Sequence, residues 1–225
     1  MADKTVFVEG RALAFVSFAT DRRSCRSPLR GMRIEHHNGQ TICAATDRKI
    51  MLYARSRDVN EAFDPFYIDT HQGERLIHIC RDRDIDHVAF ELTGELMIVW
   101  LALSADNIEI ERGFIRLIRP SDIPEWDWRS VLPSEPFMPA ELLEVLNPRP
   151  LSRICRAIDR YIRDGSGSVS IVSCGSFRPA LISIQGTDDI GGAITTEQTK
   201  WAEPHCLPDF TRLDSSMLDA REVAA

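Results

Sequence analysis

Arg153, Arg156, Arg160 and Arg163 follow one another at intervals of three, four and three residues. On a helix that spacing gathers four guanidinium groups on one side. Leu151, Ile154, Ile158 and Ile162 fall on the opposite side, so the segment reads as an amphipathic helix with an arginine stripe. A guanidinium is a rigid, permanently charged fork of donors suited to phosphate oxygens. The chemistry open to the stripe is therefore anion binding. Asp159 and Asp164 dilute it, and the same pattern also serves as a solvated helix face. Arg11, Arg22, Arg23 and Arg26 add positive charge near the start of the chain. Arg75, Arg81 and Arg83 alternate with Glu74, Asp82 and Asp84 and make no stripe.

Catalytic patterns are missing. The chain has no GxGxxG, no GxxxxGK[ST] and no HExxH. His36-His37 follows Glu35 without a spaced third ligand, which makes a poor metal site. Ser17, Ser24 and Ser27 lack a GxSxG setting. Asp82 and Asp84 read as a salt-bridged surface, and His205-Cys206 as incidental. The expectation is a protein that is not an enzyme, with no cofactor and no metal.

Composition narrows the partners. A chain of 225 residues, 44% hydrophobic, can bury a real core in one or two domains. The net charge of −7 argues against indiscriminate coating of nucleic acid but leaves room for a local basic patch. Twenty-four arginines against three lysines (Lys4, Lys49, Lys200) suit phosphate recognition, and equally a biased codon usage. The six cysteines (Cys25, Cys43, Cys80, Cys155, Cys174, Cys206) are scattered, without a CxxC pair, as in a reduced compartment. No apolar run has the length of a membrane span, and Met1-Ala2-Asp3-Lys4 does not open a signal peptide. A cytoplasmic location with no membrane contact is expected.

These residues need positioning elements. Thr5 to Glu9 reads as a strand and Gly10 to Thr20 as a helix, followed by a polar loop from Asp21 to Pro28. Leu29-Arg30-Gly31-Met32-Arg33-Ile34 and Ala45-Thr46-Asp47-Arg48-Lys49-Ile50-Met51 read as strands joined across Asn38-Gly39, a strong hairpin signal, with the hairpin ending near Ser56. Phe66 to Asp69 is a strand and His71 to Asp84 a helix. Strands then cover Asp86 to Leu92, Glu95 to Leu103 and Asn107 to Ile118. A helix starts over Pro139 to Leu146, breaks at Asn147-Pro148-Arg149-Pro150 and resumes from Leu151 to Asp164. Ser168 to Cys174, Pro179 to Gln185 and Ile190 to Ile194 complete the strands, and a polar tail begins at Ala202. The order strand, helix, three strands thus occurs twice before residue 120 and starts a third time after Pro133.

Three blocks resemble the bacterial DNA sliding clamp, the β subunit of the replicative polymerase. They are the "LRG" strand with the strand end "ATD", the linker Pro124-Glu125-Trp126-Asp127-Trp128-Arg129-Ser130-Val131-Leu132-Pro133, and the helix start Phe137-Met138-Pro139-Ala140-Glu141-Leu142-Leu143. The resemblance runs from about residue 5 to 201. It implies an α+β fold of DNA-clamp type, antiparallel sheets with helices on one face, built from about three strand-helix-strands units. Residues 1–121 would form a clamp-like domain of two units, 122–134 a linker, 135–201 a partial second domain and 202–225 a tail. The family has more units per chain, and this departure suggests a short, phage-like or divergent member.

The resemblance also implies roles. Clamp helices line a central hole and hold phosphates without reading sequence, so Arg153, Arg156, Arg160 and Arg163, with Arg11, Arg22 and Arg23, become a DNA face. The family's peptide pocket maps onto Thr46, Asp47, Arg48, Lys49 and Met51, then Val131, Leu132 and Pro133, with a C-terminal counterpart near Ile194-Thr195-Thr196. Here Arg48 and Lys49 replace the family's glycine and histidine, and its two methionines are lost. Trp126 and Trp128 read as packing residues or as a partner surface. The function implied is a sliding-clamp-like accessory of DNA replication. Its expected partners are double-stranded DNA, the polymerase or other clamp-binding peptides, and further copies of itself. The alternative is a non-ring clamp-fold module that competes for clamp-binding peptides or caps a host clamp.

Overall fold

The structure, a computed structural model, describes residues 4–24, 27–82, 85–92, 97–118, 127–132, 146–162, 168–172 and 179–195. Its strands are β1 (Lys4–Glu9), β2 (Gly31–His37), β3 (Gln40–Thr46), β4 (Ile50–Ser56), β5 (Phe66–Asp69), β6 (His87–Leu92), β7 (Met97–Leu103), β8 (Glu109–Arg116), β9 (Val169–Val172), β10 (Ala180–Ile184) and β11 (Ile190–Ile194). Its helices are α1 (Gly10–Ser17), α2 (Ser27–Arg30), α3 (Glu74–Asp82) and α4 (Pro148–Tyr161), with a 3-10 turn over Trp128–Val131. The fold is α+β, as expected.

Among the described residues all strand pairs are antiparallel. One sheet has the order β1-β6-β7-β8, the other β5-β2-β3-β4-β11-β10-β9. Alternation along the strands sends one set of side chains inward. Val88, Phe90, Ile98 and Trp100 from the first sheet join Ile34, Leu52, Ile182 and Ile194 from the second in one hydrophobic core. Phe66 and Phe90 meet edge-on across the sheets, 5.6 Å between ring centres. Helix α1 is buried along nearly its whole length and packs on α3, α4, β3 and β4. Burial of α1, which has only eight residues, substitutes for the helical stability that so short a segment lacks by itself.

The Asn38-Gly39 hairpin forms, with φ of 50° and 78° at the two residues. Three local readings need correction. Leu29 and Arg30 close a short helix, and the strand begins at Gly31. The Arg30 guanidinium turns to Asp69, and its carbonyl accepts from the Thr70 amide, so this corner ties to the end of β5. Secondly, Ala45 to Met51 is not one strand: β3 ends at Thr46, and a turn over Asp47–Lys49 leads into β4. Thirdly, Pro148 and Pro150 do not break a helix. They lie in the first turn of α4, where a missing N–H costs nothing, and Asn147 caps that turn by accepting from the Arg149 amide. Residues 139–145 lie outside the described set, as does the tail.

The β4–β11 pairing joins the last three strands to β5-β2-β3-β4, with Leu52 opposite Gly192 and Tyr53 opposite Gly191. A Cβ on Gly192 would come within 2.2 Å of the Met51 carbonyl oxygen, so only glycine permits this approach. The turn before β11 is held by Asp189, whose carboxylate accepts from Arg55 and Arg57 at 2.5–2.9 Å. Gly192→Ala is expected to lower stability by about 1–3 kcal/mol, read as a lower urea midpoint.

Burial would raise the Asp189 pKa. The hydrogen bonds and charges of Arg55 and Arg57 outweigh it and hold the carboxyl below its ordinary range. With the folded value below the unfolded one, the stabilisation is complete above the unfolded value of about 4 and is lost as pH falls through the folded value. Asp189→Asn should cost about 1–2 kcal/mol at neutral pH, since both arginines are partly solvated. Its deficit against the parent should shrink in unfolding curves taken below about pH 4.

Candidate nucleic-acid face and linker groove

The arginines expected to contact phosphate have different surroundings. Arg153 leaves the stripe. Its guanidinium donates to the Asp47 carboxylate and to the Phe18 carbonyl, with a third contact of 3.3 Å to the Thr20 carbonyl. The last carbonyls of α1 accept from the amides of Phe18, Ala19 and Thr20, whose own segment offers the carbonyls of Phe18 and Thr20. Arg153 reaches these from α4, which makes it an internal bolt between the end of α1, α4 and the β3–β4 turn. Arg11 is also engaged: it pairs with Glu9 at 2.8 Å and lies 4.8 Å over the Tyr161 ring. Arg22 pairs with Glu74 at 2.6 Å on the surface. Arg23 and Arg156 are exposed, and Arg160 is half-buried. Arg26 and Arg163 lie outside the described residues.

The helix layer gathers other cations that sequence spacing set aside. Arg22, Gln72, Glu74, Arg75, His78 and Arg81 line a concavity of about 560 Å³. Arg75, His78 and Arg81 recur every third residue of α3, a signal obscured by the acidic residues that flank them, Glu74 and Asp82. Arg75 makes a two-pronged contact with Glu111 at 2.5 and 2.9 Å. Arg81 donates to the Ser17 hydroxyl at 2.9 Å and lies 4.1 Å over Phe18.

The linker groove is built on the other face of the seven-stranded sheet. Thr46 and Asp47 serve its scaffold. The Thr46 hydroxyl donates to the Ile50 carbonyl and accepts from the Arg48 amide, while Asp47 accepts from the amides of Lys49 and Ile50. Arg48 occupies left-handed backbone at φ 77°, the conformation that glycine adopts without strain. Thr195 donates from its amide and its hydroxyl to the Lys49 carbonyl, at 2.8 and 3.1 Å, so the end of β11 meets the turn. Met51 is buried with Ala44, Trp128 and Ala193, and Val131 and Leu132 pack against this cluster. Trp128 stands in a 3-10 turn rather than an extended run, stacked on Tyr53 at 5.5 Å. Its indole N–H donates to Glu35 at 3.3 Å, and Arg129 pairs with the same carboxylate at 2.6 Å. Glu35 is the anchor that sequence reasoning missed. Pro133, Thr196 and Trp126 lie outside the described residues.

Among the described residues no group of three or more His, Cys, Asp or Glu could hold a metal ion. Ser56, Asp58 and His87 do meet: the Ser56 hydroxyl donates to Asp58 at 3.1 Å, and His87 Nδ1 lies 2.9 Å from the same carboxylate. The carboxylate sits between the serine and the histidine, so the imidazole cannot act as base toward Ser56. Cys43 and Cys80 are buried thiols whose pKa burial pushes up, to about 12 for Cys80.

Arg153→Ala would leave the nearly buried Asp47 carboxylate without its cation and is expected to cost about 3 kcal/mol. Arg156→Ala should fall within about 0.5 kcal/mol of the parent. Thermal unfolding of the two variants side by side distinguishes the bolt from the surface arginine.

No protein-family model and no curated protein sequence matches the chain. Solved structures do. A DNA polymerase sliding clamp from Pseudomonas aeruginosa with a ligand has a TM-score of 0.63 at 16% identity, over 87% of this chain and 66% of that one. A sliding clamp from Bacillus subtilis gives 0.61 at 15%, over 88% and 65%. The DNA polymerase III β subunit from Thermotoga maritima gives 0.62 at 12%, over 92% and 66%. The chain thus spans just under two thirds of the length of each. Two antiparallel sheets with a layer of helices, matched over nearly nine tenths of the chain at this low identity, give it the fold of the bacterial sliding clamps, in a sequence widely divergent from theirs.

Proposed function

We propose that this protein is a non-catalytic, sliding-clamp-like accessory of DNA replication that holds duplex DNA against its helix layer. The observation that carries this reading is the set of cations on α3 and α4, which flank the buried α1. Arg22 and Arg75 share one concavity with Gln72, Glu74 and His78, and Arg156 is exposed on α4. Side chains of this kind grip phosphate without reading bases, as a protein that moves along DNA requires. Arg153 and Arg11 maintain the layer from inside. The net charge of −7 then limits binding to this face and makes it sensitive to salt.

The linker face adds a second contact. A partner peptide would lie across Val131 and Leu132, with the exposed Arg48 and Lys49 favouring acidic residues beside it. Met51 lies beneath Trp128 and forms the floor. The alternative, a non-ring interaction module, draws on one observation: β11 of the same chain already occupies the outer edge of β4. A replication accessory of this type works in the cytoplasm, and among the described residues no helix is long and apolar enough to cross a membrane.

Fluorescence anisotropy with labelled duplexes of unrelated sequence, in a salt series, tests the DNA reading. The parent should bind all duplexes alike. Arg23→Gln/Arg75→Gln/Arg156→Gln should weaken them equally, and the salt slope should become shallower by about one for each phosphate that the variant no longer neutralises. A parent that leaves DNA free at low salt excludes the DNA role and favours the interaction module.

A further inference from the structure

We infer that Glu74 and Glu111 are built-in competitors for duplex DNA: their carboxylates occupy guanidinium groups that phosphates would take, and so set how loosely the helix layer holds a duplex. That role presupposes the DNA reading proposed above and concerns the regulation of the same face. Arg22 and Arg75 are the exposed arginines of the concavity, and each already carries an acid. Arg22 pairs with Glu74 at 2.6 Å. Arg75 places Nε and Nη2 on the two oxygens of Glu111, at 2.5 and 2.9 Å. Arginine grips a phosphate in the same two-pronged way, so the Glu111 carboxylate stands where a pair of phosphate oxygens would stand. The two acids come from different elements. Glu74 opens α3, whereas Glu111 lies on β8 opposite the buried Ala102 and shares its inward side.

Exposure decides that these acids can be displaced. The side chains of Arg22 and Glu74 are 43% and 62% exposed, those of Arg75 and Glu111 59% and 23%. Ion pairs wetted to this degree are screened and hold weakly. A row of phosphates brings many charges at once and releases its condensed counterions, so it can replace them. The carboxylates of Asp47 and Asp189 are only 8% exposed and keep their arginines. The chain thus has arginines fixed by buried acids and arginines held by exposed ones. At Arg22 and Arg75 a phosphate contact replaces a carboxylate contact, and its net gain is small. A contact of small net gain is released about as readily as it forms, which suits a protein that moves along a duplex.

Fluorescence anisotropy of the full chain with a labelled duplex, in a salt series, tests the inference. Glu74→Gln and Glu111→Gln should each tighten binding about threefold, and the two together about tenfold. The salt slope should steepen by about one for each guanidinium released to phosphate. Glu61→Gln makes the same change in net charge on the exposed loop after β4 and should tighten binding less than either. The gain from Glu111→Gln should vanish beside Arg75→Gln, and that from Glu74→Gln beside Arg22→Gln, because the acid then has no guanidinium to withhold. Glu74 also suits the positive end of α3, so thermal unfolding of each variant should confirm the parental fold. A parent that binds, with variants no tighter than Glu61→Gln or with gains that persist without the arginines, would overturn the inference and leave the DNA reading standing. Variants weaker than the parent would also overturn it, making the acids supports for the arginines. If the parent and the double variant both leave DNA free at low salt, both readings fall.

Discussion

The antiparallel junction of β4 with β11 is the contact on which the rest of the molecule depends. It converts two sets of strands, separated by more than a hundred residues of chain, into one seven-stranded sheet. That sheet offers an inner face to α1, on which α3 and α4 pack, and an outer face to residues 127–132. The junction requires two backbones to approach where any side chain on Gly192 would strike the Met51 carbonyl. Its ends are secured electrostatically, by Asp189 between Arg55 and Arg57 and by Thr195 on the Lys49 carbonyl.

The arginines of this acidic chain divide between two kinds of work. Arg153, Arg11 and Arg81 are drawn inward, where carbonyls, carboxylates and aromatic rings accept them. A guanidinium suits such places because its charge is permanent and its fork can satisfy several acceptors at once. Arg23 and Arg156 face water. The two groups cannot be told apart by spacing on a helical wheel, since Arg153 and Arg156 belong to the same stripe. What separates them is proximity to the Asp47 carboxylate and to the Phe18 and Thr20 carbonyls just past α1.

The outer face depends on another buried carboxylate. Glu35 accepts the Trp128 indole and faces Arg33 and Arg129, which holds residues 127–132 against β3 and β4. The cost of burying this acid is offset by its cations and by the stacking of Trp128 on Tyr53. The same arrangement makes Met51 a floor rather than an open wall. It also shapes any groove at this site from the chain's own residues.

The alternation of apolar residues, the Asn38-Gly39 turn and the succession of strands and helices were legible from the sequence, because they express short-range geometry: a period of two, a period near four and the tolerance of two residues for positive φ. Strands β5 and β11 match their sequence ranges to the residue. Prolines 148 and 150 misled, since proline interrupts a helix interior yet suits its first turn, and the sequence does not mark which of these it occupies. The pairing of β4 with β11, the capture of Arg153 by Asp47 and Phe18, the meeting of Arg22 with α3 and the anchoring of Trp128 by Glu35 were decided only in three dimensions. Each links residues tens of positions apart or more, and each depends on which charge or carbonyl the folded chain brings within about 3 Å, a quantity that no local pattern of residues encodes.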